Sequence, residues 1–189
     1  MFERLKRLPP VTESTAGPFH LVYRASRGGY RDQRSIAAVK TSLYQELLAR
    51  HRIIGFDSAT VYRFHSGEWN GETWAGVWIR DNAEGTAGAN RYLSRSFGES
   101  AILLENHFQR DWARVEGDHL LSTVVMPEQP MLEAAVPYRG DHTARRWAHR
   151  VLPHLESFAR AHDFPVETVL EITDTLYKQV RYLMTRIQC

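Results

Sequence analysis

Between Val61 and Asp81 the chain reads VYRFHSGEWNGETWAGVWIRD, which gathers three of its five tryptophans, two arginines, a histidine and three acids around an Asn-Gly pair. Indole rings stack on flat ligands, guanidinium groups hold anions through paired hydrogen bonds, and an imidazole moves a proton near neutral pH. If Asn70-Gly71 forms a two-residue hairpin turn, Trp69 pairs with Glu72, Arg63 with Trp78 and Tyr62 with Ile79. Alternation along the strands then places Tyr62, Phe64, Ala75, Val77 and Ile79 on a core-covering face. Arg63, His65, Trp69, Trp74, Trp78 and Arg80 occupy the other. This second face is the candidate site: Trp74 and Trp78 stack on a ligand, Arg63 and Arg80 pair its charge, and His65 is the candidate catalytic acid–base group. Cross-strand Arg-Trp stacking also stabilises a hairpin without any ligand, so packing and binding both fit the pattern.

Other chemistry is thinly represented. His142, His149, His154 and His162 lack the i,i+4 spacing that lets one helix chelate a metal, HExxH is absent, and no metal site is expected. The lone cysteine, Cys189, excludes an intrachain disulfide and a cysteine-cluster zinc site. Neither GxSxG nor SxxK occurs, and the glycine-containing loops SRGGYRD and DNAEGTAGAN match no phosphate-binding pattern. No cofactor is named by any motif.

FHLVYRA, from Phe19, reads as a strand. Ile36, Val39, Leu43 and Leu47 recur at helical spacing within Arg34 to Ile54, and a second helix is expected from about Ala89 to Glu105. HFQRDWARVEGDHLLSTVVMP reads as two strands around Glu116-Gly117-Asp118. Ala144, Ala148, Val151, Leu155 and Phe158 form another helical stripe, with a kink or break at Pro153. Val169, Ile172, Leu176, Val180, Leu183 and Ile187 then suggest a last helix opened by Pro165. The resulting fold class is α+β, an antiparallel sheet with helices on one face in the order β-α-β-β-α-β-β, followed by a C-terminal αα-hairpin. Residues 1 to 18 read as a flexible basic tail, 19 to 137 as the α+β domain, and 138 to 189 as the helical hairpin. No internal repeat is visible.

Composition sets the outer bounds. The 189 residues suit one core, with 43% hydrophobic and 24% charged residues. No apolar run is long enough to span a membrane, and the basic N-terminus lacks the apolar core of a secretory signal, so a cytoplasmic location is expected. Charge is uneven: residues 1 to 60 carry ten Lys/Arg against five Asp/Glu, and residues 61 to 134 carry six against eleven.

Two loose resemblances touch the hairpin. The stretch ending in EGTAGANRYL resembles acetyltransferases of the GNAT superfamily but lacks their pyrophosphate loop. Two hairpins flanking a helix resemble chorismate-lyase-like domains, with Arg63 in the place of a carboxylate-binding arginine and Val124 or Val125 where that family would need an acid. The functional expectation is binding or processing of a small anionic, partly aromatic ligand on the Trp/Arg face, in a transferase- or lyase-like enzyme or a binding protein. The alternative is a nucleic-acid-binding or protein-interaction module, with the same aromatics stacking on single-stranded bases and basic termini holding phosphate. The C-terminal helix is the candidate contact for a homodimer.

Overall fold

The computed structural model describes residues 8–27, 32–51, 57–63, 72–79, 112–113, 115–164, 166–174 and 177–185. Five elements occur twice in the same order. β1 (Thr12–Ala16), β2 (Phe19–Arg27), α1 (Gln33–Glu46), β3 (Asp57–Arg63) and β4 (Glu72–Ile79) are followed by β5 (Ser122–Met126), β6 (Gln129–Pro137), α2 (Asp141–Ala161), β7 (Thr168–Asp174) and β8 (Gln179–Thr185). All eight strands form one antiparallel sheet in the order β1-β6-β8-β7-β3-β4-β2-β5, in which each half exchanges its first strand with the other. The register repeats as well. Thr12 faces Glu133 just as Ser122 faces Tyr23, and Ala16 faces Gln129 just as Met126 faces Phe19. The duplication is one of backbone plan and leaves no repeat in the side chains.

The connections force this sheet to curl. Gly17 and Pro18 alone join β1, at one edge, to β2, near the other. In a flat sheet those strands would lie about 29 Å apart, whereas so short a link reaches about 10 Å. The link passes tightly over its counterpart between β5 and β6. Gly17 has φ +114°, and a Cβ there would stand 2.8 Å from the carbonyl oxygen of Pro127, so glycine is required by both conformation and space.

Both helices lie on one face of the sheet. Asp32 caps α1 by accepting from the Ser35 N–H at 3.2 Å. Ile36 and Leu43 of α1 point inward, and Leu47 continues the stripe in a π-helical turn, Leu47–His51. α2 turns Ala144, Trp147, Ala148, Val151, Leu152, Leu155 and Ala159 onto β6, β7 and β8. It runs unbroken through Pro153, an exposed residue on the outer side, because the missing N–H falls where water can satisfy the freed carbonyl. On the opposite sheet face Phe19, Leu21, Ala59, Val61, Trp78, Met126, Met131, Leu170, Ile172 and Leu183 form a second core cluster.

The C-terminal αα-hairpin is half right: its first helix is α2, but Thr168–Asp174 and Gln179–Thr185 are strands. Every residue of β7 is buried, and a central strand buried on both faces places Val169 and Ile172 at a helical spacing by accident. The Asp174 carboxylate accepts from the Tyr177 N–H at 2.9 Å, and Lys178 has φ 53°, which turns the chain between the two strands. The helix expected to carry a homodimer contact is therefore the pair of strands β7 and β8, in the interior of the sheet. Within the expected tail, Thr12–Ala16 is paired to β6 through its backbone. Residues 115–116 are helical rather than extended, and β5 is the strand among the described residues of the region read as two strands. The helix expected at 89 to 105 lies outside the described residues. Among the described residues, no helix is long and apolar enough to cross a membrane.

Candidate functional site

β3 and β7 are the middle strands of the sheet, and the pair Thr60↔Glu171 stands where the two halves meet. Side-chain alternation points Glu171 to the helix-bearing face, between Thr60 on one neighbouring strand and Tyr182 on the other. It is 4% exposed. A carboxylate so far from water is costly unless it is paired and hydrogen-bonded. The Tyr62 hydroxyl, itself buried, donates to Glu171 Oε2 at 2.9 Å, and Gln33 Nε2 of α1 donates to the Tyr62 oxygen at 3.2 Å. The Lys40 ammonium, also from α1, stands 3.8 Å from Glu171 Oε1. That is within Coulombic reach but longer than the usual charge-assisted hydrogen bond.

Burial pushes the Glu171 carboxyl above the usual carboxylate range, while the Lys40 charge and the Tyr62 hydrogen bond act in the opposite direction. Burial, reinforced by the Glu171 charge, drives Tyr62 and Tyr182 well above the ordinary phenol value. Both tyrosines therefore remain donors at neutral pH, and Tyr182 donates to the Ala144 carbonyl at 3.3 Å.

Glu171 lies in the wall of a cavity of about 310 Å³ between α1, the start of α2 and the sheet. Ile36, Ala37, Val77 and Ala144 supply apolar lining, Tyr44 and Tyr138 aromatic lining, and Lys40, Arg145 and Glu171 the charges. An apolar pocket with a few converging polar groups is the usual form of a small-molecule site. Among the described residues, no group of three or more His, Cys, Asp and Glu could hold a metal ion.

The residues singled out by sequence lie elsewhere. β3 pairs with β4 so that Tyr62 faces Thr73 and Asp57 faces Trp78. The expected register had set Tyr62 against Ile79. The slip of six residues is even, so the two faces survive: Tyr62, Ala75 and Val77 share the helix side, and Arg63, Trp74 and Trp78 share the other. Trp78 is 8% exposed and meets Phe19 edge to face, with ring centroids 5.2 Å apart. Half-buried Trp74 stacks on Tyr23 at 4.4 Å, and the Arg63 guanidinium sits 5.2 Å from its ring centroid. Arg63 is thus brought to Trp74 on the sheet face away from the cavity, whereas Trp78 shares that face further along β4, against Phe19. His65, Arg80 and the Asn70-Gly71 turn lie outside the described residues.

Glu171, Tyr62, Lys40 and Gln33 form the centre that sequence reasoning missed as a site. One signal was present. Glu171 is a lone acid inside the apolar, β-branched run TVLEIT, where a buried charge stands out.

No protein-family model matches the chain, and no curated protein does. Solved structures do. The EcmrR C-terminal domain aligns over 96% of this chain and all of its own, with a TM-score of 0.54 and 9% identity. SAV2435 bound to tetraphenylphosphonium aligns over 93% of this chain and 92% of its own (TM-score 0.49, 10% identity). A hydrolase encoded by lin2189 from Listeria innocua aligns over 97% and 96% (TM-score 0.40, 7% identity). The first of these likenesses concerns the fold, a curled eight-stranded sheet bearing two helices.

Proposed function

We propose that the protein binds a small organic molecule in the cavity beside α1, and that the ligand presents an amine or other cationic donor to Glu171 from an apolar, partly aromatic body. One observation carries this reading: Glu171 is almost completely removed from water, lies in the cavity wall, and among the described residues has its nearest cation at 3.8 Å. A ligand ammonium at hydrogen-bond distance would compensate the carboxylate better, because a charge-assisted contact strengthens as it shortens in a dry site. The lining aliphatic groups and Tyr44 and Tyr138 suit the ligand's body. The expected anionic ligand on the Trp/Arg face has weaker support, since burial of Trp78 and the Tyr23–Trp74–Arg63 stack favour packing there.

Calorimetric titration with 1-naphthylmethylamine, 1-naphthalenemethanol and 1-naphthoate tests the reading, as the three share a body and differ in charge. The amine should bind most tightly. Glu171→Gln should weaken the amine by about tenfold or more, given about 1.5 to 3 kcal/mol for a hydrogen bond to a charged group, and leave the alcohol nearly unchanged. Preference for naphthoate, or no effect of Glu171→Gln on the amine, would refute it.

A further inference from the structure

We propose that Lys40 is a resident counter-ion that a cationic ligand must displace, so that this residue sets how strongly and how selectively the cavity takes cations. The inference rests on the binding site proposed above and adds the residue that competes within it. Lys40 lines the same cavity as Glu171 and faces its carboxylate at 3.8 Å. Its ammonium therefore occupies part of the space in which a ligand cation would meet that group. Two ammonium ions around one buried carboxylate repel each other, so binding is an exchange of cations rather than an addition.

The structure favours Lys40 as the member that leaves. Glu171 and Tyr62 project from the two central strands and are at most 4% exposed, so neither can move without disturbing the sheet. Lys40 projects from α1, and its side chain is 16% exposed. A four-carbon stem can swing the ammonium out to water while its methylenes remain against apolar surface. Rehydration of that ammonium offsets part of the ligand's own desolvation. A neutral or anionic ligand gains nothing from such an exchange. Lys40 thus resists weak cations and leaves the carboxylate compensated when the cavity is empty.

The test uses the full chain at pH 8, with Lys40→Met and Lys40→Gln measured beside the wild type. Both variants should bind 1-naphthylmethylamine about tenfold more tightly and 1-naphthalenemethanol with little change. Lys6, Lys40 and Lys178 are the chain's only lysines, so isotopic methylation gives few signals. On addition of the amine to the wild type, the Lys40 signal should move towards that of exposed Lys178. Unchanged or weaker amine binding in both variants, with a stationary Lys40 signal, would overturn the exchange. If Glu171→Gln still weakened amine binding in that case, the binding site itself would stand. Loss of the Glu171→Gln effect would remove both.

Discussion

α2 turns seven residues, from Ala144 to Ala159, into the sheet, whereas α1 turns in only Ile36 and Leu43, although each helix holds the same place in its half of the duplicated plan. The cavity follows from that difference. Six of its lining residues, Gln33, Ile36, Ala37, Lys40, Thr41 and Tyr44, belong to α1, against Ala144 and Arg145 from α2. One half buttresses the sheet, and the other leaves room beside it. The strands differ in the same sense, since the central pair has Thr60 from the first half opposite Glu171 from the second. A repeated backbone can thus divide its work between copies when one helix carries a full apolar stripe and the other a partial one.

The largest expected effect lies on the buttress. Leu152 is fully buried under α2, and Leu152→Ala should cost about 2 to 5 kcal/mol in urea unfolding. Ile36→Ala should fall near the low end, about 2 kcal/mol, because Ile36 borders the cavity and has fewer packed contacts to lose on that side. If the two substitutions cost the same, α1 is packed as firmly as α2 and the division between the halves fails.

Much of that division was legible in the sequence. The stripes at Ile36, Leu43 and Leu47, and at Ala144, Ala148, Val151 and Leu155, are inward-facing in the structure. Alternation assigned Tyr62, Ala75 and Val77 to one face correctly despite the wrong register. Three things were hidden for physical reasons. β7 is buried at both parities and most of β8 is too, so their apolar residues also fit a helical spacing. β1, TESTA, is held through backbone pairing that its polar side chains do not announce. Glu171 gained its meaning only when the sheet brought Tyr62, 109 positions away in the chain, into hydrogen-bond contact.

Next in size is the hydrogen bond that holds Glu171 in place. Tyr62→Phe removes the hydroxyl that donates to Glu171 and accepts from Gln33. It should destabilise the protein by about 1.5 to 3 kcal/mol, the range for a hydrogen bond to a charged group. A change below about 0.5 kcal/mol would mean that water or Lys40 takes over the carboxylate, and that Tyr62 packs without positioning it.

Glu171→Gln probes the same centre through pH. Because the folded protein holds the Glu171 proton more tightly than the unfolded chain does, this group opposes folding increasingly as pH rises from the ordinary carboxylate value through its own raised one. The variant lacks that slope. Its thermal midpoint relative to wild type should therefore rise between pH 4 and pH 8, most groups other than Glu171 cancelling in the difference. A constant gap across that interval would show that Lys40 and Tyr62 fully compensate the buried charge.

The smallest effects belong to the charged helix ends, where the two halves differ once more. On α2, Glu156 and Arg160 form an i,i+4 pair, and the Arg160 side chain is 70% exposed. Arg160→Ala should cost no more than about 0.5 kcal/mol and less in high salt. After α1, Arg50 contacts both Glu46 at 2.8 Å and Asp118 at 2.8 Å, while His51 meets Asp118 at 2.9 Å, tying the π-helical turn to the segment before β5. The Glu46 carboxyl is held below its usual value chiefly by Arg50, and that of Asp118 chiefly by the Leu120 N–H, with His51 and Arg50 adding to it. Depressed carboxylates contribute their stability above the unfolded value and lose it as pH falls through the folded one. Amide exchange at Leu47–His51 should therefore accelerate, after correction for intrinsic rates, as the pH drops below about 4, the ordinary range of these acids. Exchange in the middle of α2 should hold over the same interval, because Val151, Leu152 and Leu155 are fixed by burial rather than by charge. Equal acceleration in both helices would show that α1 is no more dependent on its charged anchors than α2 is.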